Sequence, residues 1–412
     1  MDLRERLRDL SDLSTLPAHI DVRRAPNAGD ERCLLIFTDA TPTEGPDYQP
    51  WFDQCTGTIV APKADGTGYD VVGFPGARSL EVSADEEDGG IAKKLLALYV
   101  LDPEGAEWYP YVEGVRMTLY HYKGEWCLST SRVIDARTSR YYRGSSSFGQ
   151  QFDAAACRAG LNMSRLDKGR TYVFIVQTPD TPMVVPYTNF DLLHVATYDL
   201  STSSPSPSPF EPLTEAENEV GVTQPSWMAT GGRWDDVRAF LDGPLCDGRL
   251  GVLARGAWAC DRAGQKKQWH AKIMHADYAA ARDLVGGDRD LEKRLLSIAT
   301  DPVQKARLLA LLPTKRQTML DTDAAIDAAT KEVLRLYIEF NVHRRRSVLP
   351  QPIYETLKAL HATYLARPVQ PGRGTGSQTV GRRPRVTFGD VDAFVRRLPP
   401  PTLASLLRAT CK

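Results

Sequence analysis

Two runs of arginine stand out among the residues able to do chemistry. They are His343-Arg344-Arg345-Arg346, closing a stretch of helical periodicity, and Arg382-Arg383-Pro384-Arg385, in a loop of Gly, Ser, Arg and Pro over 368–385. Guanidinium groups in series neutralise successive phosphates and release their counterions, so the pattern is a nucleic-acid footprint. A cation or two at a helix C-terminus also complements the helix dipole, which accounts for part of the first run but not for three in a row. The glycines of 372–376 neither follow a strand nor lead into Lys-Ser or Lys-Thr, so they do not form a phosphate loop. His270 and His275 stand five apart where a strand is expected, a spacing that does not put two imidazoles on one face. Both are read as structural. The 7 cysteines contain no CxxC pair, and an odd number leaves at least one thiol free. That argues against a zinc ribbon and for a reducing compartment.

The elements that must position these residues divide into two parts. A length of 412 residues exceeds one ordinary domain, and 42% hydrophobic with 25% charged residues is the composition of a globular protein. No window approaches a membrane-spanning length, and the charged start MDLRERLRDLSDLS lacks the apolar core of a secretory signal, so neither secretion nor a membrane partner is expected. The net charge of -1 conceals a split: residues 301–412 hold 19 Lys+Arg against 9 Asp+Glu, leaving 32 against 43 for residues 1–300. The basic end therefore suits a polyanion or an acidic surface.

Strand patterns recur at 34–38, 58–61, 69–74, 115–122, 125–132, 172–176, 183–187 and 192–198, most of them separated by Gly, Pro, Asp or Asn. Segment 147–159 has helical spacing through Phe148, Phe152 and Ala156, and 95–99 reads as a helix end or a short strand. The Ser/Pro run 199–212 is expected to hold no regular element and to form a disordered surface insertion, because proline removes donors and fixes φ. A short helix at 234–241 and strands at 250–255 and 268–273 complete the β part. Helical stripes follow, with Ile326, Ala329, Val333, Leu336, Tyr337 and Phe340 on one face and Ile353, Leu357, Leu360 and Tyr364 on another. The expectation is an α+β fold: an antiparallel β domain with flanking helices over 1–290, then an all-α basic C-terminal domain over 291–412.

Within the β part, residues 112–132 (VEGVRMTLYHYKGEWCLSTSR) form a hairpin entered through Glu113-Gly114. Taken with Thr56-Gly57 through Ala61, Val71-Val-Gly-Phe-Pro75 and Thr171 through Val176, it resembles the nucleotidyltransferase domain of ATP-dependent RNA ligases of the RNA ligase 1 type. The resemblance is greatest to the ligase-like proteins of large DNA viruses, and it extends over roughly 30–412. In that family a Lys-x-Asp-Gly-Ser lysine attacks the α-phosphorus of ATP, with Mg²⁺, to form a lysyl-AMP intermediate.

Carried over position by position, the resemblance implies degenerate motifs. Glu113-Gly114 replaces Asp-Gly, which puts Tyr111 at the nucleophile position and Val115 at the serine. Phe174-Ile175 and Leu250-Gly251 stand where the third and fourth motifs carry carboxylates, and His270 and Lys272 stand for a pair of lysines. The early Arg-Gly is represented by Thr56-Gly57, while Arg132 keeps a basic residue. A literal Lys63-Ala-Asp-Gly-Thr67 lies between two strands, where Asp65-Gly66 reads as a hairpin turn rather than a site. Lys63 remains the alternative nucleophile.

The resemblance thus implies a protein that has lost adenylyl transfer and serves as an RNA or RNA 5′-end binding factor. Tyr111, Glu113, Arg116, Arg132 and Lys272 would contact nucleotide or RNA, and Arg344, Arg345, Arg346, Arg382, Arg383 and Arg385 would form a basic tail for it. No metal ligand is assigned, although Glu113 carries a carboxylate able to take that role. An active ATP-dependent ligase, using ATP or GTP with Mg²⁺, is the first alternative. A protein-interaction or assembly subunit meeting viral or host proteins is the second. Localisation would be cytoplasmic, in the host cytosol or a viral factory.

Overall fold

In a computed structural model the chain is described at residues 3–38, 49–83, 106–140, 145–180, 187–200, 249–260, 266–285, 291–311, 316–345, 348–368 and 385–410, with a few short pieces between them. It forms two compact units, Met1–Ala280 and Ala281–Lys412. The first opens with helix α1 (Leu3–Arg8) and carries strands β1 (Ile20–Arg24), β2 (Cys33–Phe37), β3 (Thr56–Pro62), β4 (Tyr69–Gly73), β5 (Leu80–Ser83), β6 (Ala106–Val112), β7 (Val115–Tyr122) and β8 (Glu125–Thr130). Helix α2 (Phe148–Ala159) follows, then β9 (Arg170–Gln177), β10 (Asp191–Asp199), β11 (Pro207–Ser208), β12 (Arg249–Cys260) and β13 (Lys266–Met274). These strands build three sheets, in the orders β1-β2-β3-β4, β11-β10-β9-β7-β8 and β5-β13-β12-β6. Every pairing is antiparallel except β5 with β13.

Burial explains why the inner strands read as continuous apolar runs. In β2 and β3, Leu35 and Val60 pack with Leu3 and Leu7 of α1 on one face, while Leu34, Ile36 and Ile59 pack with Tyr120 of β7 on the other. Both faces are covered, so period-2 alternation disappears from the sequence. In β9, Val173 joins the first of these cores, while Tyr172, Phe174 and Val176 meet Phe148 and Phe152 of α2. Helix α2 begins at a reciprocal cap, with Ser147 Oγ accepting from Gln150 N–H and Gln150 Oε1 from Ser147 N–H, and ends at Gly160 with φ 70°.

The strands not anticipated, β1, β5 and β6, are all edge strands. An edge strand needs only one partner and tolerates charge or proline, as with Arg23 in β1 and Pro110 in β6. The same reason corrects the expectation for 199–212: Pro207–Ser208 forms a short edge strand paired with Thr197 and Tyr198. Of the expected helix 234–241, Ala239 and Leu241 are described, and both are helical. The expected element 95–99 and most of the expected strand 183–187 lie outside the described residues.

The second unit is helical. Helix α3 (Ala276–Val285) leads into it, followed by α4 (Leu291–Ser297), α5 (Pro302–Leu311), α6 (Arg316–Tyr337) with a π-helical turn at Ile338–Val342, α7 (Gln351–Leu365), α8 (Phe388–Arg396) and α9 (Pro400–Thr410). Its core gathers the stripes Ile326, Ala329, Val333 and Leu336 of α6, Ile353, Leu357 and Leu360 of α7, and Leu403, Leu406 and Leu407 of α9.

At the start of α8, Asp390 caps through Thr387 and pairs with Arg367 at 2.7 Å. The bond from Arg367, aided by the cap, holds its carboxyl down from 3.8 to about 2. A depressed folded-state value gives stability that is present above 3.8 and lost as pH falls through about 2. Thermal unfolding of wild type and Asp390→Asn should therefore differ near neutrality and converge across that window. A gap that stays constant with pH would contradict it.

Candidate functional site

The position expected to carry a nucleophile lies near the end of edge strand β6, where Tyr111 is paired with Gly251 of β12. On the far side of β12, Lys272 of β13 is paired with Leu253. Gly251 has no side chain, and the Lys272 ammonium lies over the Tyr111 ring, with Nζ 4.6 Å from its centroid. Such a contact contributes about 0.5–2 kcal/mol, more as water is excluded. The positions assigned by resemblance to the nucleophile, the fourth motif and the pair of lysines are thus neighbours in one sheet, and what meets there is a phenol face and a lysine side chain.

Glu113, directly after β6, is only 7% exposed. Its Oε1 accepts from Val184 N–H at 3.2 Å and from the Tyr278 hydroxyl at 3.0 Å. Its backbone carbonyl accepts from the Tyr187 hydroxyl at 2.9 Å and Gln177 Nε2 at 3.0 Å. Burial first, and then the nearby Glu113 charge, push the Tyr187 phenol above its ordinary range. Glu113 therefore ties the entrance of β7 to the end of β9, to the segment after it, and to the first turn of α3. Sequence spacing alone did not mark Tyr187, Gln177 or Tyr278 as its partners. Tyr278 lies four residues beyond the end of the Lys272 strand, in the first turn of α3, and that proximity in sequence is the one signal pointing to it.

Ile175, where the third motif would bear a carboxylate, is paired with Arg116 across β7 and β9. A Cβ built at Gly114 would come within 2.2 Å of Ile175 Cγ2, so the methyl fills the space beside the Glu113-Gly114 turn. Phe174 points into the α2 core. Arg116 itself donates to the Pro75 carbonyl. Arg132 is exposed just beyond edge strand β8, with its carbonyl accepting from Arg23 Nη1 at 3.0 Å. Thr56-Gly57 opens β3, and a Cβ at Gly57 would lie 2.7 Å from Ser131 Cα, where φ is +91°. Close backbone packing there requires glycine.

Lys63 sits in the β3–β4 turn. Its N–H donates to the Gly68 carbonyl and Gly66 N–H donates to the Lys63 carbonyl, each at 3.0 Å, while Asp65 Oδ1 accepts from Thr67 N–H and Oγ1. The Lys63 amine donates to the Arg8 carbonyl at 3.4 Å. His270 is paired with Arg255 in the β12–β13 ladder, and His275 Nδ1 accepts from Asp277 N–H at the start of α3. Arg344, Arg345 and Arg385 are exposed. Arg346, Arg382 and Arg383 lie outside the described residues.

Metal-dependent lysyl adenylylation calls for an amine at the nucleophile position and carboxylates free to hold the metal. At the positions that the resemblance assigns to these groups, Tyr111 has no amine, Ile175 and Leu250 are apolar, and Glu113 Oε1 already accepts two hydrogen bonds, so these side chains do not fit it. Among the described residues, no group of three or more His, Cys, Asp or Glu side chains is placed to hold a metal ion. None of the described helices is long and apolar enough to cross a membrane.

No protein-family profile matches the chain, and no curated protein matches it in sequence. Among solved structures it is similar to a putative ATP-dependent DNA ligase from Aquifex aeolicus, at 12% identity and TM-score 0.40, over 86% of this chain and 88% of that one. It is also similar to an archaeal ATP-dependent RNA ligase in two forms. Form 2 is at 13% identity and TM-score 0.37, over 82% and 84% of the two chains, and form 1 at 14% and 0.36, over 90% of each.

Proposed function

We propose that this chain is a ligase-related protein that has given up nucleotidyl transfer and works as an RNA-binding factor, with RNA or an RNA 5′ end as its ligand. The observation that carries this reading is the Tyr111–Lys272 contact. Transfer through a covalent intermediate needs a nitrogen that attacks the α-phosphorus as pyrophosphate leaves. A phenol face backed by an ammonium is suited instead to binding: the ring can stack on a base or ribose, and the cation can meet a phosphate. The basic C-terminal unit, with Arg344, Arg345 and Arg385 exposed, adds phosphate contacts. Cys33, Cys55, Cys127 and Cys157 are free thiols, which suits a cytoplasmic setting, the host cytosol or a viral factory.

A second reading keeps activity, since Lys272 places a lysine nitrogen 4.6 Å from the Tyr111 ring centroid. In that case Lys272 rather than Lys63 is the nucleophile. The binding reading is tested by titrating the full-length protein with 5′-triphosphorylated, 5′-monophosphorylated and 5′-hydroxyl RNA of one sequence across a salt series. Binding that weakens steeply with salt, and is tighter for the phosphorylated ends, is expected. Absence of binding even at low salt would overturn this reading and leave a protein-interaction subunit.

A further inference from the structure

Every large apolar side chain that is exposed among the described residues belongs to the helical unit, including Leu365 at 49% and Phe388 at 41%. These two stand at the end of α7 and the start of α8, and the Arg367–Asp390 ion pair at 2.7 Å holds those two ends together. Within the last turn of α7, His361 and Tyr364 lie ring on ring, with centroids 6.0 Å apart and planes 24° from parallel. The Tyr337 hydroxyl is 3.0 Å from His361 Nδ1, and its ring stands edge-on to Tyr364 at 71°. Tyr337 belongs to the core of the unit, whereas His361 and Tyr364 lie outside it and are half-buried. Arg385 is exposed just ahead of α8.

We infer that the joined ends of α7 and α8 are a binding platform for unpaired RNA nucleotides, with Tyr364, His361 and Phe388 stacking bases while Arg385 meets a phosphate. The inference rests on the RNA-binding reading and extends it to a second surface, in the other unit of the chain. Flat rings fixed from behind by a buried tyrosine lose little further freedom when a base settles on them. Stacking is tolerant of sequence because each base has a π face. Bases in a duplex are already stacked on their neighbours, so the platform discriminates single strands from double strands.

The test measures binding of the full-length protein to a labelled oligouridylate and to an RNA duplex of equal length, for wild type, Phe388→Ala, Tyr364→Ala and Lys272→Ala. Each platform variant should weaken single-strand binding by about 5- to 100-fold and leave duplex binding unchanged. Phe388 is exposed, so its variant stays informative if Tyr364→Ala unfolds the helical unit. The platform effect should persist in the Lys272→Ala background. If wild type binds single strands and both platform variants bind them equally well, this inference fails while the RNA-binding reading stands. If wild type binds no RNA, both fail. If Phe388→Ala changes the sedimentation of the protein but not its RNA affinity, the surface is a protein contact and the inference is overturned.

Discussion

Replacing Glu113 with Ala should destabilise the first unit by about 3 kcal/mol, lowering its unfolding temperature by roughly 6–12 °C. The buried carboxylate accepts from Val184 N–H and the Tyr278 hydroxyl, and its loss leaves both donors without that acceptor inside the protein. A buried donor deprived of its acceptor costs about 1–3 kcal/mol, and two are stranded here. Glu113→Gln keeps a carbonyl oxygen where the carboxylate stood, so it should lose less than half as much. This order separates the structural role from a metal-binding one. A carboxylate kept for a divalent cation would make Mg²⁺ stabilise the wild type and not Glu113→Gln, whereas the hydrogen-bonded hub predicts the same response to Mg²⁺ in both. Thermal melts of the three proteins with and without Mg²⁺ decide between them.

The second large effect concerns Lys272. If its ammonium and the Tyr111 ring together receive a phosphorylated nucleotide, Lys272→Ala removes one phosphate contact. Binding should weaken by about 10-fold and the slope of log affinity against log salt should fall by about 1. Lys272→Arg should recover much of the affinity, since guanidinium also neutralises phosphate and stacks on aromatic faces. Tyr111→Phe keeps the ring and should bind like wild type, whereas Tyr111→Ala should lose about 5-fold or more. Equal affinities and equal salt slopes in Lys272→Ala and wild type would place the RNA elsewhere on the protein.

How much of this was legible in sequence depends on where each residue's partners lie. Strand β7 carries its own signals, apolar residues bounded by Gly114 and the Lys123-Gly124 turn, and its expected limits match the structure. The Lys63 turn is equally local: Asp65 and Gly66 shape it without distant help. Edge strands β1, β5 and β6 pair on one side only, so neither alternation nor a run of apolar residues marks them. Tyr111 lies on one of these, which is why its position had to come from a resemblance rather than from a pattern. Glu113 next to Gly114 reads as a solvated turn or a metal ligand. Its burial comes from Val184, Tyr187 and Tyr278, residues far along the chain that no local pattern ties to it. The contact between Lys272 and Tyr111 is likewise a product of strand order, β6 and β13 flanking β12.

The central claim is that no lysine of this chain becomes covalently charged with nucleotide. It is tested most directly by the intact mass of the full-length protein after incubation with ATP or GTP and Mg²⁺ or Mn²⁺, with Lys63→Ala and Lys272→Ala alongside. The account predicts an unchanged mass in every sample, together with salt-dependent RNA binding by the wild type. A gain equal to one nucleoside monophosphate less one water, the phosphoramidate left when pyrophosphate departs, would contradict it. Loss of that gain in Lys272→Ala would make the amine over Tyr111 the nucleophile, and loss in Lys63→Ala would move the site to the β3–β4 turn.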